Sequence, residues 1–62
     1  MDTELKIGET YTCYYTRFPR EIVYLKGKLI RFEGIENEIA ILSTKRMKNL
    51  MMLTKELAEI NS

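Results

Sequence analysis

Residues 20–42, with the sequence REIVYLKGKLIRFEGIENEIAIL, constrain the fold more than any other segment. They are rich in Ile, Val, Tyr and Phe, which favour β-strands, and they include two glycines that can bend or turn a strand. Because the chain has only 62 residues, all strands must share one hydrophobic core. A composition of 45% hydrophobic and 31% charged residues is typical of a chain that folds. We therefore predict one mainly β domain spanning residues 1–62.

A first strand is predicted just before this segment. In residues 9–16, ETYTCYYT, the side chains of Tyr11, Cys13 and Tyr15 alternate with those of the other face. Such alternation is typical of a strand. In the RFPR that follows, Pro19 ends the strand because proline fixes φ and has no N–H group.

Gly27 lies between two lysines in the next run, EIVYLKGKLIRFE. The run is either a hairpin with its turn at the Lys-Gly pair or one long strand bent by a bulge at the glycine. Lys-Gly is a weak hairpin signal, and a bend would let Val23 and Leu25 share an inner face with Ile30 and Phe32. We therefore favour the bent strand.

A turn is predicted at residues 33–37, EGIEN, because Gly34 and Asn37 readily adopt positive φ. The strand that follows has four successive apolar residues at 39–42, so both of its faces are apolar. A strand covered on both faces is expected to be central in its sheet.

The last third, KRMKNLMMLTKELAEI, fits two structures. A single helix of about four turns would carry an apolar stripe. It would also place the basic residues at its N-terminus and glutamates at its C-terminus, opposite to what the helix dipole favours. We therefore favour a turn at residues 45–49, a fourth strand at residues 50–53, and a short helical turn from an N-capping Thr54 to Ile60.

These elements predict a small, partly open barrel of four or five antiparallel strands with a short C-terminal helical turn, since closure hides strand edges. The pattern resembles the SH3-like class of small barrels. Within it, GKLIRFEGIEN is similar to the first motif of the Sm-like RNA-binding proteins, G-x-L-x-x-F-D-x-x-x-N. The matching residues are Gly27, Leu29, Phe32 and Asn37, with Glu33 where that family prefers aspartate.

The Sm-like resemblance implies a role for two residues. In that family the acidic residue and the asparagine lie beside a nucleotide pocket, so Glu33 and Asn37 are the positions carried over. The second motif, an Arg-Gly or Lys-Gly pair in a later strand, has only KRMKN in its place, and residues 1–8 are too few for the family's N-terminal helix. The resemblance therefore implies a fold rather than membership.

The sequence argues against catalysis and metal binding. It has no histidine, one cysteine and no phosphate-binding glycine loop, so we predict a non-enzymatic protein with no metal and no cofactor. Cys13 is expected to be a buried core residue. No signal peptide is recognisable, and no stretch approaches the ~18 apolar residues of a membrane helix. We therefore expect a cytoplasmic protein without membrane association.

Binding is the remaining role, and two segments offer apolar residues for it. In RFPR, Phe18 either projects beside two arginines or folds back to close one end of the barrel. Tyr14 is expected to face outward near this loop. Met51 and Met52 are neighbours on a strand, so both are core only if that strand is covered on both faces. The predicted partner-binding residues are Tyr14, Arg17, Phe18, Arg20, Met51 and Met52.

The leading hypothesis is a protein-interaction or inhibitor/adaptor domain, with a homodimer as one form of association. A net charge of +1 gives little long-range attraction to nucleic acid. The charges are nevertheless segregated: residues 33–38 carry three glutamates, and residues 45–48 carry three basic residues. A basic face would favour the alternative, binding of single-stranded RNA or DNA. Its residues would be Arg17, Phe18, Arg20, Lys28, Arg31, Lys45, Arg46, Lys48 and Asn37.

Overall fold

The computed structural model describes residues 4–62. Four antiparallel strands form one sheet in the order β1-β2-β3-β4, which curls into a half-barrel, and a short helix follows the last strand. The predicted mainly β fold class is confirmed. The elements are β1 (Thr10–Arg17), β2 (Glu21–Glu33), a 3-10 turn (Ile35–Asn37), β3 (Ile39–Ser43), β4 (Leu50–Leu53) and α1 (Thr54–Ile60).

Residues 1–8 were expected to form no helix. Residues 1–3, which also begin the predicted 1–62 domain, lie outside the described residues. Residues 4–9 contain no helix. The N–H of Leu29 donates to the C=O of Glu9 at 2.9 Å, so the chain already pairs with β2 just before β1 begins.

The long second strand confirms the bent-strand prediction and excludes the hairpin. In β2, residues 21–28 pair with β1 and residues 28–33 pair with β3. The predicted position of the bulge is wrong, because the register shift lies between Leu29 and Arg31 and not at Gly27. A bulge bends the strand that carries it, so this shift marks where β2 passes from one partner to the other.

Gly27 serves close packing instead. It is buried and keeps regular register opposite Tyr11 in β1. A Cβ atom at this position would lie 2.9 Å from Cγ2 of Thr44, 3.0 Å from Sγ of Cys13 and 3.3 Å from Cβ of Leu42. The absence of a side chain therefore lets residues of β1 and of β3 and its following loop meet across the middle of β2.

The inner face of β2 differs in part from the predicted one. Leu25 and Phe32 pack against the core as expected. Ile30 falls in the bulge, and neither it nor Val23 joins the core cluster. The buried residues of that cluster are Cys13, Leu29, Ala40, Leu42, Leu50, Met52 and Leu57.

Cys13 is a core residue, as predicted, with 0% of its surface exposed. Burial raises the pKa of its thiol, because the thiolate would lose its hydration. Its Sγ lies 3.5 Å from the C=O of Leu25, which can accept a weak hydrogen bond from the thiol. Cys13 therefore packs as a small apolar side chain.

The turn between β2 and β3 has the predicted backbone. Gly34 has a φ of 85° and Asn37 a φ of 56°, and Glu36 also has a φ of 56°. β3 lies between β2 and β4, and its residues 40–42 are all buried. The prediction of a central strand covered on both faces is thus confirmed.

The C-terminal third contains the predicted fourth strand and short helix, and the single-helix alternative is wrong. Thr54 is not the N-cap. That position belongs to Leu53, which makes no side-chain capping bond. The Thr54 hydroxyl instead donates to the C=O of Asn37 at 2.6 Å. Because Thr54 is already inside the first turn, its side chain ties the start of α1 to the 3-10 turn.

The helix α1 crosses from the end of β4 to the exposed edge of β1. Leu57 is fully buried in the core, and the Tyr14 hydroxyl donates to Glu56 at 2.9 Å. The Asn61 side-chain amide accepts from the N–H of Thr12 and donates to its C=O, both at 2.9 Å. One amide thus occupies both outward backbone groups of Thr12, as a neighbouring strand would.

We expect Gly27→Ala to lower the free energy of unfolding by about 1–3 kcal/mol, because its Cβ overfills the contact described above. Urea unfolding followed by circular dichroism measures the change. Thr44→Ser removes the nearest methyl group and keeps the hydroxyl that bonds the loop, so the double variant should recover part of the loss. Equal stability of Gly27→Ala and the wild type would contradict the packing role.

Candidate binding surfaces

Phe18 lies at the tip of the β1–β2 hairpin and is 93% exposed. The expectation that it could fold back to close the barrel is therefore wrong, and the projecting alternative holds. The reason is the register: Arg17 and Glu21 form the last strand pair, so Phe18 lies beyond the sheet and out of reach of the core. Arg17 and Glu21 also form a salt bridge at 3.0 Å, and Arg20 is exposed in the turn.

Two exposed apolar side chains continue from this tip along the outer face of the hairpin. Ile22 pairs with Thr16 and is 53% exposed, and Tyr24 pairs with Tyr14 and is 62% exposed. Residues two apart on a strand share a face. We call Phe18, Ile22 and Tyr24 the hairpin surface.

Tyr14 was expected to face outward near Arg17. It lies opposite Tyr24 in the β1–β2 pair and so shares that outer face, but it is half-buried. Its ring packs on Tyr24 with centroids 5.8 Å apart and an interplanar angle of 60°, a tilted aromatic pair. The bond to Glu56 fixes its hydroxyl. Tyr14 therefore lies beside Tyr24 at the margin of the hairpin surface, and its bond to Glu56 could not be known before α1 was placed.

The methionines of β4 alternate between the two faces of the sheet. Met51 is 60% exposed, whereas Met52 is 6% exposed and belongs to the core. The prediction of Met52 as a contact residue needs correction, because successive side chains of a strand point to opposite faces. Pairing places Met51 beside Ile41 and Leu53 beside Ile39 on the outer face.

These four residues, Ile39, Ile41, Met51 and Leu53, form what we call the β4 surface, although Ile41 at its centre is only 2% exposed. A shallow open depression of about 210 Å³ is lined by three of them together with Met52. Leu53 is 53% exposed. The β4 surface and the hairpin surface belong to different strand pairs of the sheet, so the predicted partner-binding residues divide between two separate surfaces.

The predicted nucleic-acid-binding residues are not brought into one patch. Arg31 is bonded to Glu33 at 2.7 Å. Lys45, Arg46 and Lys48 lie in the β3–β4 loop. The remaining cations lie elsewhere: Lys28 opposite Ser43 next to that loop, and Arg17 and Arg20 at the hairpin tip.

One contact links the basic loop to β1. The guanidinium of Arg46 donates to the Tyr15 hydroxyl at 3.4 Å. Tyr15 is two residues before Arg17, hence on the same face of the strand. Arg17 therefore lies one side chain away from the Tyr15–Arg46 contact, while Arg20 in the turn lies further out.

Glu33 and Asn37, carried over from the Sm-like resemblance, lie at the opposite end of β3 from the basic loop. A five-residue strand separates the two ends by about 17 Å. Glu33 is occupied by Arg31, and the C=O of Asn37 accepts the Thr54 hydroxyl. These residues therefore do not share a site with Lys45, Arg46 and Lys48.

Sequence reasoning missed Ile22, Tyr24, Ile39 and Leu53 as surface residues. In EIVYLK, alternation shows that Ile22 and Tyr24 share a face, but which face is outer depends on the curl of the sheet. The sequence therefore showed that these side chains share a face, but it did not show that this face is exposed.

Comparison of this chain with protein-family models, curated proteins and solved structures gave no significant match. Among residues 4–62, no three His, Cys, Asp or Glu side chains are grouped so that they could hold a metal ion. No helix in this part of the chain is long and apolar enough to span a membrane. The functional argument therefore depends on the two apolar surfaces and the basic loop.

The Tyr14–Glu56 bond makes a prediction about pH. The Glu56 carboxylate accepts a hydrogen bond from the protonated Tyr14 hydroxyl and its charge disfavours a phenolate, so the pKa of Tyr14 is raised above its ordinary value of 10.0. A raised pKa in the folded state means that this contribution to stability is present below pH 10 and is lost as the pH rises through the raised pKa. Glu56→Gln keeps an acceptor and removes the charge, and should lower the pKa of Tyr14. Carbon NMR titration of the tyrosine ring measures it; an unchanged pKa would contradict the assignment.

Proposed function

We propose that this chain is an SH3-like small barrel that acts as a non-enzymatic protein-interaction module through the hairpin surface. Two features support the SH3-like fold: the long β2 strand, which bends between its partners β1 and β3, and the 3-10 turn that follows it. The observation that carries the function is Phe18, 93% exposed beyond the last strand pair, with Ile22 and Tyr24 exposed beside it.

A rigid hairpin with apolar side chains at its tip suits protein recognition. Aromatic side chains bury much area at low entropic cost and dominate binding energy at protein interfaces. The hairpin is paired along all of β1, from Thr10 with Lys28 to Arg17 with Glu21, so its tip is held still by the sheet. Burial of such residues against a partner is favourable by about 25 cal/mol per Å² of apolar surface.

The charges around the hairpin surface indicate the chemistry of the partner. Arg20 lies in the turn and forms no ion pair within residues 4–62, and Lys26 on the outer face donates to the Thr12 hydroxyl at 2.9 Å. Both carry positive charge at the rim of the hairpin surface. A protein with an apolar cleft and an acidic rim would complement it.

Photo-crosslinking tests this proposal. We expect a benzophenone amino acid at position 18 to capture a protein in cells, with excess unlabelled wild type competing and excess Phe18→Ala protein failing to compete. The matched control places the same probe at position 35, since Ile35 is 79% exposed but lies in the turn before β3. Identical capture at both positions would contradict a role for the hairpin surface.

A second function, binding of single-stranded nucleic acid, is supported by the Arg46–Tyr15 contact. Bases can stack on an aromatic ring while cations bind phosphates. Lys45, Arg46 and Lys48 form no salt bridge within the described residues, so they are available to phosphates.

This alternative predicts that fluorescence anisotropy detects binding of labelled oligonucleotides at about 50 mM salt and much weaker binding at about 200 mM. The variant Lys45→Ala/Arg46→Ala/Lys48→Ala should abolish it. Arg31→Ala is the matched control, because Arg31 is already paired with Glu33. Absence of binding at the lower salt would exclude the alternative and leave the protein-interaction module.

A further inference from the structure

The open edge of β4 presents unpaired backbone groups. The N–H of Thr54 donates to the C=O of Glu38 at 2.8 Å, so in this antiparallel pair the backbone of Thr54 faces β3. Along a strand, the backbone groups of successive residues point alternately toward and away from the neighbouring strand. The N–H and C=O groups of Met51 and Leu53 therefore point away from β3. Within residues 4–62 both groups of Met51 and the N–H of Leu53 have no hydrogen-bond partner. The C=O of Leu53, at the N-cap of α1, accepts the first bond of the helix and keeps one lone pair for a second donor.

The edge of β1 is partly occupied by a side chain, and that of β4 is not. In β1, Asn61 occupies both outward groups of Thr12. The β4 sequence, LMML, has no charge, proline or bulge, which are the devices that keep edge strands from pairing. The helix α1 leaves β4 toward β1 and so does not run along the β4 edge.

The charges at the two ends of the β3–β4 pair select the partner. Lys45, Arg46 and Lys48 lie in the loop at one end, and Glu36 and Glu38 in the turn at the other. None of these five forms a salt bridge within the described residues. If two copies paired in parallel, like charges would meet. In an antiparallel pair, the basic loop of each copy lies beside the acidic turn of the other.

We propose that two copies of this chain pair antiparallel through their β4 edges, about a two-fold axis at Met52, to form one continuous eight-stranded sheet. In this register the N–H of Leu53 in each copy donates to the C=O of Met51 in the other, and the N–H of Met51 donates to the remaining lone pair of the Leu53 C=O. The β4 surfaces of the two copies become continuous across the junction. The two-fold axis creates two equivalent contacts, and in each one the basic loop of one copy lies beside the acidic turn of the other.

The dimer does not depend on the proposed function, because the hairpin surface lies on β1 and β2. Its interface is a short strand with flanking loops, smaller than the ~1,600 Å² of a standard stable interface. We therefore expect an exchanging dimer whose population rises with concentration.

Hydrogen exchange of the wild type at increasing concentration is the first test. The amide protons of Met51 and Leu53 should become protected as concentration rises, whereas that of Thr16, which faces outward on the β1 edge, should remain fast. Unchanged exchange at Met51 and Leu53 up to about 1 mM would overturn the proposal.

Sedimentation equilibrium of charge variants is the second test. Lys45→Glu/Lys48→Glu and Glu36→Lys/Glu38→Lys should each weaken dimerisation about tenfold or more, because each puts like charges together. Mixed in equal amounts they should dimerise again, since both contacts become attractive. Failure of the mixture to dimerise while each variant is folded by circular dichroism would contradict the two-fold arrangement.

Met51→Lys provides the control on the edge itself. Met51 is exposed, so a lysine fits the monomer while placing a charge at the junction. This variant should be monomeric at concentrations where the wild type dimerises. Phe18→Ala, on the hairpin surface, should dimerise as the wild type does. Dimerisation of Met51→Lys would place the contact elsewhere, and loss of dimerisation in Phe18→Ala would assign it to the hairpin surface.

Discussion

The close approach at Gly27 is the contact on which the rest of the structure depends. Because this residue has no side chain, Cys13 from β1 and Leu42 from β3 meet over the backbone of β2. The bulge after Leu29 then bends β2, and β3 and β4 curl toward the first half of the sheet. That curl gathers the buried residues of a 62-residue chain into one cluster, which a flat four-stranded sheet of this length could not do.

The same curl decides what is left outside. The sheet has one inner face, so apolar side chains that point to the outer face stay in water unless something covers them. At the hairpin these are Ile22 and Tyr24, and at β4 they are Met51 and Leu53. A polar outer face is usual for a small antiparallel sheet, and the two apolar groups on separate strand pairs are the features on which the two proposed contacts depend.

The helix makes the two edges of the sheet unlike each other. It is only seven residues long and has no side-chain N-cap, yet Leu57 anchors it in the core. From there Glu56 and Asn61 bond to β1. The edge of β1 is therefore partly occupied and the edge of β4 remains open, with the basic loop and the acidic turn at its two ends.

Much of the fold was predictable from local patterns, and the site was predictable only in part. The strands around Cys13 and Ala40, the turn at Gly34, and the division of the last third all follow from alternation, positive-φ residue types and the helix dipole. The position of the bulge did not follow, because the sequence marks a glycine and not whether its missing side chain serves bending or packing.

The sequence by itself determined which residues share a strand face, that the tip of RFPR is polar around one phenylalanine, and that opposite charges flank β3. Only the tertiary structure decided that Phe18 projects, that Tyr14 is held by Glu56, and that Met52 rather than Met51 is buried. The physical reason is that alternation fixes which side chains lie together, whereas the curl of the sheet and the path of α1, both set by long-range packing, fix which of those faces meets water.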